Sequence, residues 1–231
     1  MEIVLNSSQM KQCDKTTIET FGMPSLVLME RAALGVAEEI ERHLAIGCLA
    51  VTVCWEGSPG CPAAGYGHGN KKYSALIACG HGNNGGDGLA IGRLLWQKGY
   101  QVTILMPPSN GKLSEETKVQ KKILGNYGIA ITEEMPDQAF DVIVDALFGI
   151  GLTRDLQGIY REYIAGMNGK TGLKVAVDIP SGIHADTGAV MGAAFRADVT
   201  VTFAFAKLGL LLYPGAEYAG KVLVKDIGIS H

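Results

Sequence analysis

The sequence predicts an α/β domain built on a parallel sheet with both faces covered. Short apolar runs such as Val142-Ile143-Val144 and Val175-Ala176-Val177 are continuous, not alternating, as strands buried on two faces require. They alternate along the chain with segments of helical periodicity, the pattern of successive βαβ units. The 231 residues show no internal repeat and no break in composition, so one large core serves the whole of 1–231.

Each element has a local reason. Ser7 is the N-cap candidate of a first short helix, and Pro24 opens a second. In that second helix Leu26, Met29, Ala33, Val36, Ala37, Ile40 and Leu44 form an apolar stripe, with Glu38, Glu39, Glu41 and Arg42 on the other face. Helices are thus expected over 1–45. From 46 to 72 the periodicity fades into Gly57-Ser58-Pro59-Gly60, Pro62 and Gly65-Tyr66-Gly67-His68-Gly69, which predicts a long loop or insertion. The α/β core follows over 73–231. A strand is expected over 73–79, then a glycine loop, then a helix over 88–98. The next strand, 102–106, ends at Pro107-Pro108, and Ser114 with Glu116 and Thr117 starts a helix reaching Asn126. Further strands are expected over 142–144, 175–177, 199–203 and 222–224.

Composition excludes several classes. Apolar residues at 47 % and charged ones at 19 % describe a globule, not a disordered or fibrous chain. A net charge of −3 carries no basic footprint, so nucleic acid is not an expected partner. Five cysteines (13, 48, 54, 61 and 79) make an odd set without a C-x-x-C spacing, and Cys48, Cys54 and Cys61 with His68 match no zinc pattern. Free thiols in a reducing cytoplasm are the expectation. The uncharged stretch 44–55 falls far short of the ~20 residues of a membrane span, and no targeting segment is read at the N-terminus. Glycine, at 31 residues, is about twice the usual ~7 %, which directs attention to close backbone approaches.

Three polar loops gather on one edge of such a sheet. Gly80-His81-Gly82-Asn83-Asn84-Gly85-Gly86-Asp87-Gly88 stands between a strand and a helix, where backbone N–H groups hold an anion. Its G-x-G-x-x-G spacing is that of dinucleotide sites, but no carboxylate follows the next strand before Glu115, which disfavours an ordinary dehydrogenase. Asp145 and Asp178 each end a strand, so both carboxylates emerge at the carboxyl edge beside that loop. Each could also serve only as a turn or capping carboxylate. His81 and His184 are expected to be exposed, and Lys207 to be an ordinary surface lysine.

With these residues the chain resembles the NAD(P)H-hydrate epimerases, the YjeF N-terminal domain family. The resemblance rests on Leu28-Met29-Glu30-Arg31-Ala32, on Gly82-Asn83-Asn84-Gly85-Gly86-Asp87-Gly88 and on Asp145-Ala146-Leu147-Phe148-Gly149-Ile150-Gly151-Leu152. It continues through Asp178-Ile179-Pro180-Ser181-Gly182, Lys207-Leu208-Gly209-Leu210 and Pro214-Gly215. It implies a Rossmann-like three-layer α/β/α sandwich with a mostly parallel central sheet. The implied activity is that of an isomerase, interconverting the R and S epimers of hydrated NADH or NADPH, after which a separate dehydratase repairs the S form. A dehydratase domain on the same chain is not expected.

Carried over by position, Asn83, Asn84, Gly85, Gly86 and Asp87 would bind substrate, together with Gly149, Ile150, Gly151, Leu152, Thr153, Arg154 and Asp155. Asp178 would lie beside the reacting ring as general acid/base. Asn84, Asp145 and Ser181 resemble the family's potassium ligands, three hard oxygen donors for a hard cation. The resemblance leaves room for a homodimer. It also leaves a second reading, because some relatives serve as protein-interaction modules without catalysis; an intact Asp178 with the full glycine loop argues for the enzyme.

Overall fold

The structure, a computed structural model, describes residues 3–51, 72–108 and 113–229, with side chains of 46–51 excepted. In chain order the elements are β1 (Val4–Leu5), α1 (Ser7–Lys15), a π-turn over Thr16–Thr20, α2 (Ser25–Val51), β2 (Ser74–Cys79), α3 (Asn83–Gln97) and β3 (Gln101–Leu105). They continue as α4 (Glu115–Asn126), β4 (Ile131–Thr132), β5 (Val142–Ala146), α5 (Ile159–Gly169), β6 (Leu173–Val177) and β7 (Val199–Phe203). Last come β8 (Ala206–Lys207), α6 (Gly215–Ala219) and β9 (Lys221–Lys225). Among the described residues no helix is long and apolar enough to cross a membrane.

One sheet runs in the order β4-β3-β2-β5-β6-β7-β9, every neighbouring pair parallel. Its strands explain the continuous apolar runs. Ile77, Val144, Val177 and Val201 pack on one face into the core formed with α2 and α3, while Leu76, Ile143 and Ala176 pack on the other against α5. Helices on both faces of a parallel sheet make the three-layer α/β/α sandwich. The chain crosses from β2 to β3 on one side and returns to β5 on the other, so the strand order reverses between β2 and β5. In open α/β sheets a ligand crevice forms at this reversal, outside the carboxyl ends of the strands.

Three boundaries differ from the sequence expectation. Asn6, not Ser7, caps α1, through a capping box with Gln9, and Ser7 is released to bond Asp186 through its N–H (2.6 Å) and hydroxyl (2.7 Å). Helix α2 runs through Val51, six residues into the expected insertion, because no proline interrupts 25–58. The remainder of that insertion, 52–71, lies outside the described residues. Helix α3 begins at Asn83, not Gly88, so the polar glycine segment is its first turn and not a preceding loop. Glycine permits this: a Cβ at Gly85 would sit 1.9 Å from the carbonyl oxygen of Gly80, so only a bare backbone lets the helix start this close to the sheet edge.

Candidate active site

A cavity of about 560 Å³ opens at the reversal point, within the size range of small-molecule sites. The first turn of α3 and the loop after β5 form two sides, and Asp178 enters from the end of β6. Helices α1 and α2 cover it with Met10, Leu28 and Met29, which are buried. Sequence reasoning placed no part of the first helix here.

Asp178 is the best-supported group in the cavity. Its backbone has φ +69°, a left-handed conformation uncommon for a residue with a side chain, secured by its N–H donating to the Val201 carbonyl at 2.8 Å. Lys207 Nζ lies 2.5 Å from Asp178 Oδ1 and donates to Thr202 Oγ1 (2.8 Å) and the Phe203 carbonyl (2.9 Å). Thr202 Oγ1 donates in turn to Asp178 Oδ1 at 3.2 Å. Lys207 is thus not the surface lysine expected: 1 % of its side chain is exposed. A signal existed, since Lys207 is the only charged residue in 199–216. An isolated ammonium inside such a segment needs a buried counter-charge.

Two further carboxylates share the cavity. Burial, reinforced by the charge of Asp178 and opposed by Lys207, raises the Asp14 carboxyl to about 6. Asp87 is pushed well above the ordinary carboxylate range by burial, then by Asp178 and Asp14, with Lys207 again opposing. Asp14 was missed in the sequence, although Met10, Asp14 and Ile18 stand at fourfold spacing, which puts the carboxylate in line with an apolar stripe.

Beneath the cavity floor lies a second polar cluster. Asp145 is fully buried and receives the Ser181 hydroxyl at Oδ1 (2.7 Å), the Ser181 N–H at Oδ2 (2.7 Å) and the Leu147 N–H at Oδ1 (3.3 Å). Burial raises its carboxyl to about 6 even against these bonds. Ser181 Oγ also accepts the Phe148 N–H at 2.9 Å, which ties the loop after β5 to the turn after β6. Asn84 reaches the same loop from α3: a Cβ at Gly149 would be 3.5 Å from Asn84 Cγ and 3.4 Å from Asp178 Oδ2. Both Asn84 Oδ1 and Nδ2 are buried without a hydrogen-bond partner among the described residues. An orphaned amide oxygen, a buried carboxylate and a hydroxyl fit a weakly charged hard cation.

Comparison with known proteins decides the family. The model of the YjeF-related protein N-terminus matches residues 25–209. The chain belongs to this family. An NAD(P)H-hydrate epimerase of Limosilactobacillus fermentum is 42 % identical over 228 residues, covering 97 % of each chain. One from Weissella koreensis is 39 % identical, covering 99 % of this chain and 93 % of its own. A bifunctional NAD(P)H-hydrate repair enzyme of Thermofilum pendens is 39 % identical, with 97 % of this chain matching 40 % of that protein. The crystal structure of a yeast protein shares the fold at a TM-score of 0.70 and 20 % identity, over 97 % of this chain and 88 % of that one.

The YjeF-related domain distributes its motif residues unevenly. Asn83, Asn84, Asp87, Gly149, Ile150, Gly151, Leu152 and Asp178 line the cavity. Gly85 and Gly86 are buried behind it in the first turn of α3, where they set the approach of the helix. Thr153, Arg154 and Asp155 are exposed and are not among the lining residues. Asp145 and Ser181 stand below the lining and support it. His81 and His184 are half-buried, not exposed as expected, with His81 Nε2 at 3.0 Å from the Pro107 carbonyl and His184 Nδ1 accepting the Asp186 N–H at 3.2 Å.

Proposed function

We propose that this protein is an NAD(P)H-hydrate epimerase, an isomerase that interconverts the R and S forms of hydrated NADH and NADPH as part of nicotinamide nucleotide repair. The observation that carries the reading is the buried Lys207–Asp178 pair facing a nucleotide-sized cavity beside the amino end of α3. Full-length relatives bearing that name support it.

Hydration places the hydroxyl on a ring carbon next to the ring nitrogen, so the nitrogen lone pair can expel it once the oxygen is protonated. Return of water to the other face of the flattened ring gives the opposite epimer. Asp178 carries the proton as general acid/base, with Lys207 and Thr202 fixing its carboxylate. The first N–H groups of α3, at Asn83 and Asn84, have no intrahelical acceptor and suit the substrate's pyrophosphate. Leu28, Met29, Phe148 and Ile150 wall the ring against bulk water. A potassium ion would be held by Asn84, Asp145 and Ser181. It would supply a fixed positive charge that locks the start of α3 to the two loops.

The repair reading implies coupling to an NAD(P)H-hydrate dehydratase, consistent with the bifunctional relative, and a cytoplasmic setting. Proton NMR of a mixed-epimer NADH hydrate sample tests it. Exchange between the two epimer signals should accelerate when the protein is added. Nucleotide binding without exchange would instead indicate a binding module.

A further inference from the structure

The cavity holds more acid/base capacity than one carboxylate needs. Its charged lining groups are Lys11 and Asp14 from α1, Asp87 from α3, Asp178 after β6 and Lys207 from β8. Asp178 faces the Lys207 ammonium as an ion pair. Among the described residues no cation pairs with Asp14 in this way, and Asp14 reaches the cavity from a different wall.

We infer that Asp14 is a second catalytic residue of the epimerase, the proton donor to the departing ring hydroxyl on the face opposite Asp178. The inference rests on the epimerase reading. In the forward step the ring nitrogen's lone pair breaks the C–O bond while the Asp14 proton joins the leaving oxygen, which departs as water. A second water then bonds the same carbon from the other face and gives its proton to Asp178. One water leaves and one enters, and one proton passes from Asp14 to Asp178. Loss of that proton from Asp178 to solvent and uptake of one by Asp14 resets the pair, and the reverse reaction runs the same steps backwards. Such a pair serves both directions, because the two epimers present their hydroxyls to opposite faces and each carboxyl is donor in one direction and acceptor in the other.

The environments match these roles. Burial and the negative charge of Asp178 favour the protonated form of Asp14, whereas Asp178 is paired with a cation. A carboxyl that its surroundings keep protonated inside a cavity suits a proton donor. Asp14 is also fixed in place. Helix α1 is held at its start by the Asn6–Gln9 capping box and by Ser7 on Asp186, and through its middle by Met10 in the core. The π-turn begins two residues after Asp14, and Thr17 Oγ1 donates back to the Cys13 carbonyl at 2.9 Å. Such π-turns concentrate at functional sites.

The test compares the wild type with Asp14→Asn and Asp14→Glu, measuring epimer exchange by NMR, NADPH affinity by calorimetry and melting temperature. Asp14→Asn should lower exchange by ~10²–10⁴ with affinity within a few-fold, and Asp14→Glu should restore at least a tenth of the wild-type rate. In the wild type kcat/KM should fall as pH rises above about 6, and Asp14→Asn should lose that fall. Wild-type exchange in a folded Asp14→Asn variant overturns the role. Should that variant fail to fold, a flat wild-type profile from pH 5 to 8 overturns it equally. A wild-type protein that binds NADPH yet exchanges no epimers overturns the epimerase reading itself, a result distinct from both.

Discussion

Lys207 Nζ sits 2.5 Å from Asp178 Oδ1, with 1 % of the lysine and 14 % of the aspartate side chain exposed. Asp178 follows β6 at the carboxyl edge of the seven-stranded sheet, whereas Lys207 lies in β8, which pairs with β1, and neither charge could be carried there alone at acceptable cost. Breaking a buried pair by removing one member strands the other and typically costs about 3–5 kcal/mol. The pair therefore links the stability of this edge to its chemistry, and the two can be separated experimentally.

Asp178→Asn should abolish most epimer exchange, by ~10²–10⁴, while NADPH affinity stays near the wild-type value. Asparagine tolerates the left-handed backbone found here at φ +69°, so the turn should persist. The Lys207 ammonium keeps Thr202 and Phe203 but loses its counter-charge, so the melting temperature should drop. Wild-type exchange in this variant would move the acid/base role elsewhere.

Lys207→Met should lower unfolding free energy by up to about 3–5 kcal/mol, less to the extent that water reaches Asp178. Combining it with Asp178→Asn should recover part of that loss, since no stranded charge remains. Urea unfolding of the two single variants and the double variant measures the coupling. Strict additivity would mean that the pair contributes nothing.

Potassium chloride should raise the melting temperature more than choline chloride at equal ionic strength, because a specific ion binds the native state alone. Asp145→Asn should erase the difference, since Asp145 is the one charged member of the proposed ligand set. An identical response of the wild type to both salts would remove the cation from the site.

The stability difference between wild type and Asp14→Asn should depend on pH in one direction. The Asp14 carboxyl is raised from 3.8 to about 6 in the fold, so the native state holds the proton more tightly than the unfolded chain. Its contribution is fully present below 3.8, is lost as pH rises through about 6, and stays flat beyond. Urea midpoints of both proteins at half-unit intervals from pH 4 to 7.5 check this. A difference that grows with pH would have the wrong sign.

The core strands were legible in the sequence because a strand buried on two faces is rich in Val and Ile and carries almost no charge. Val142 and Val175 lie in short Val/Ile runs that alternate with helical segments, and β7 has the expected bounds, 199–203. The short β1, β4 and β8 left no such trace, since two residues make no pattern. Helix α5 was not assigned either, although Tyr163, Ile164 and Met167 form its buried face. The glycine segment showed its anion-binding character but not its helical state. Helical dihedrals at Asn83–Gly86 come from packing α3 against Gly80 and Met29, contacts that local propensity does not contain.

The sequence by itself determined the sheet, the carboxyl-edge placement of Asp145 and Asp178, and the family motifs. Period and strand polarity are local properties, and they are written in neighbouring residues. Tertiary structure decided what those carboxylates meet. Lys207 reached Asp178 across 29 positions, and Asp14 arrived from a helix 164 positions away, because α1 folds over the sheet edge. Whether a lysine is a solvated surface charge or half of a buried pair depends on burial, and burial is set by which distant segments close over it.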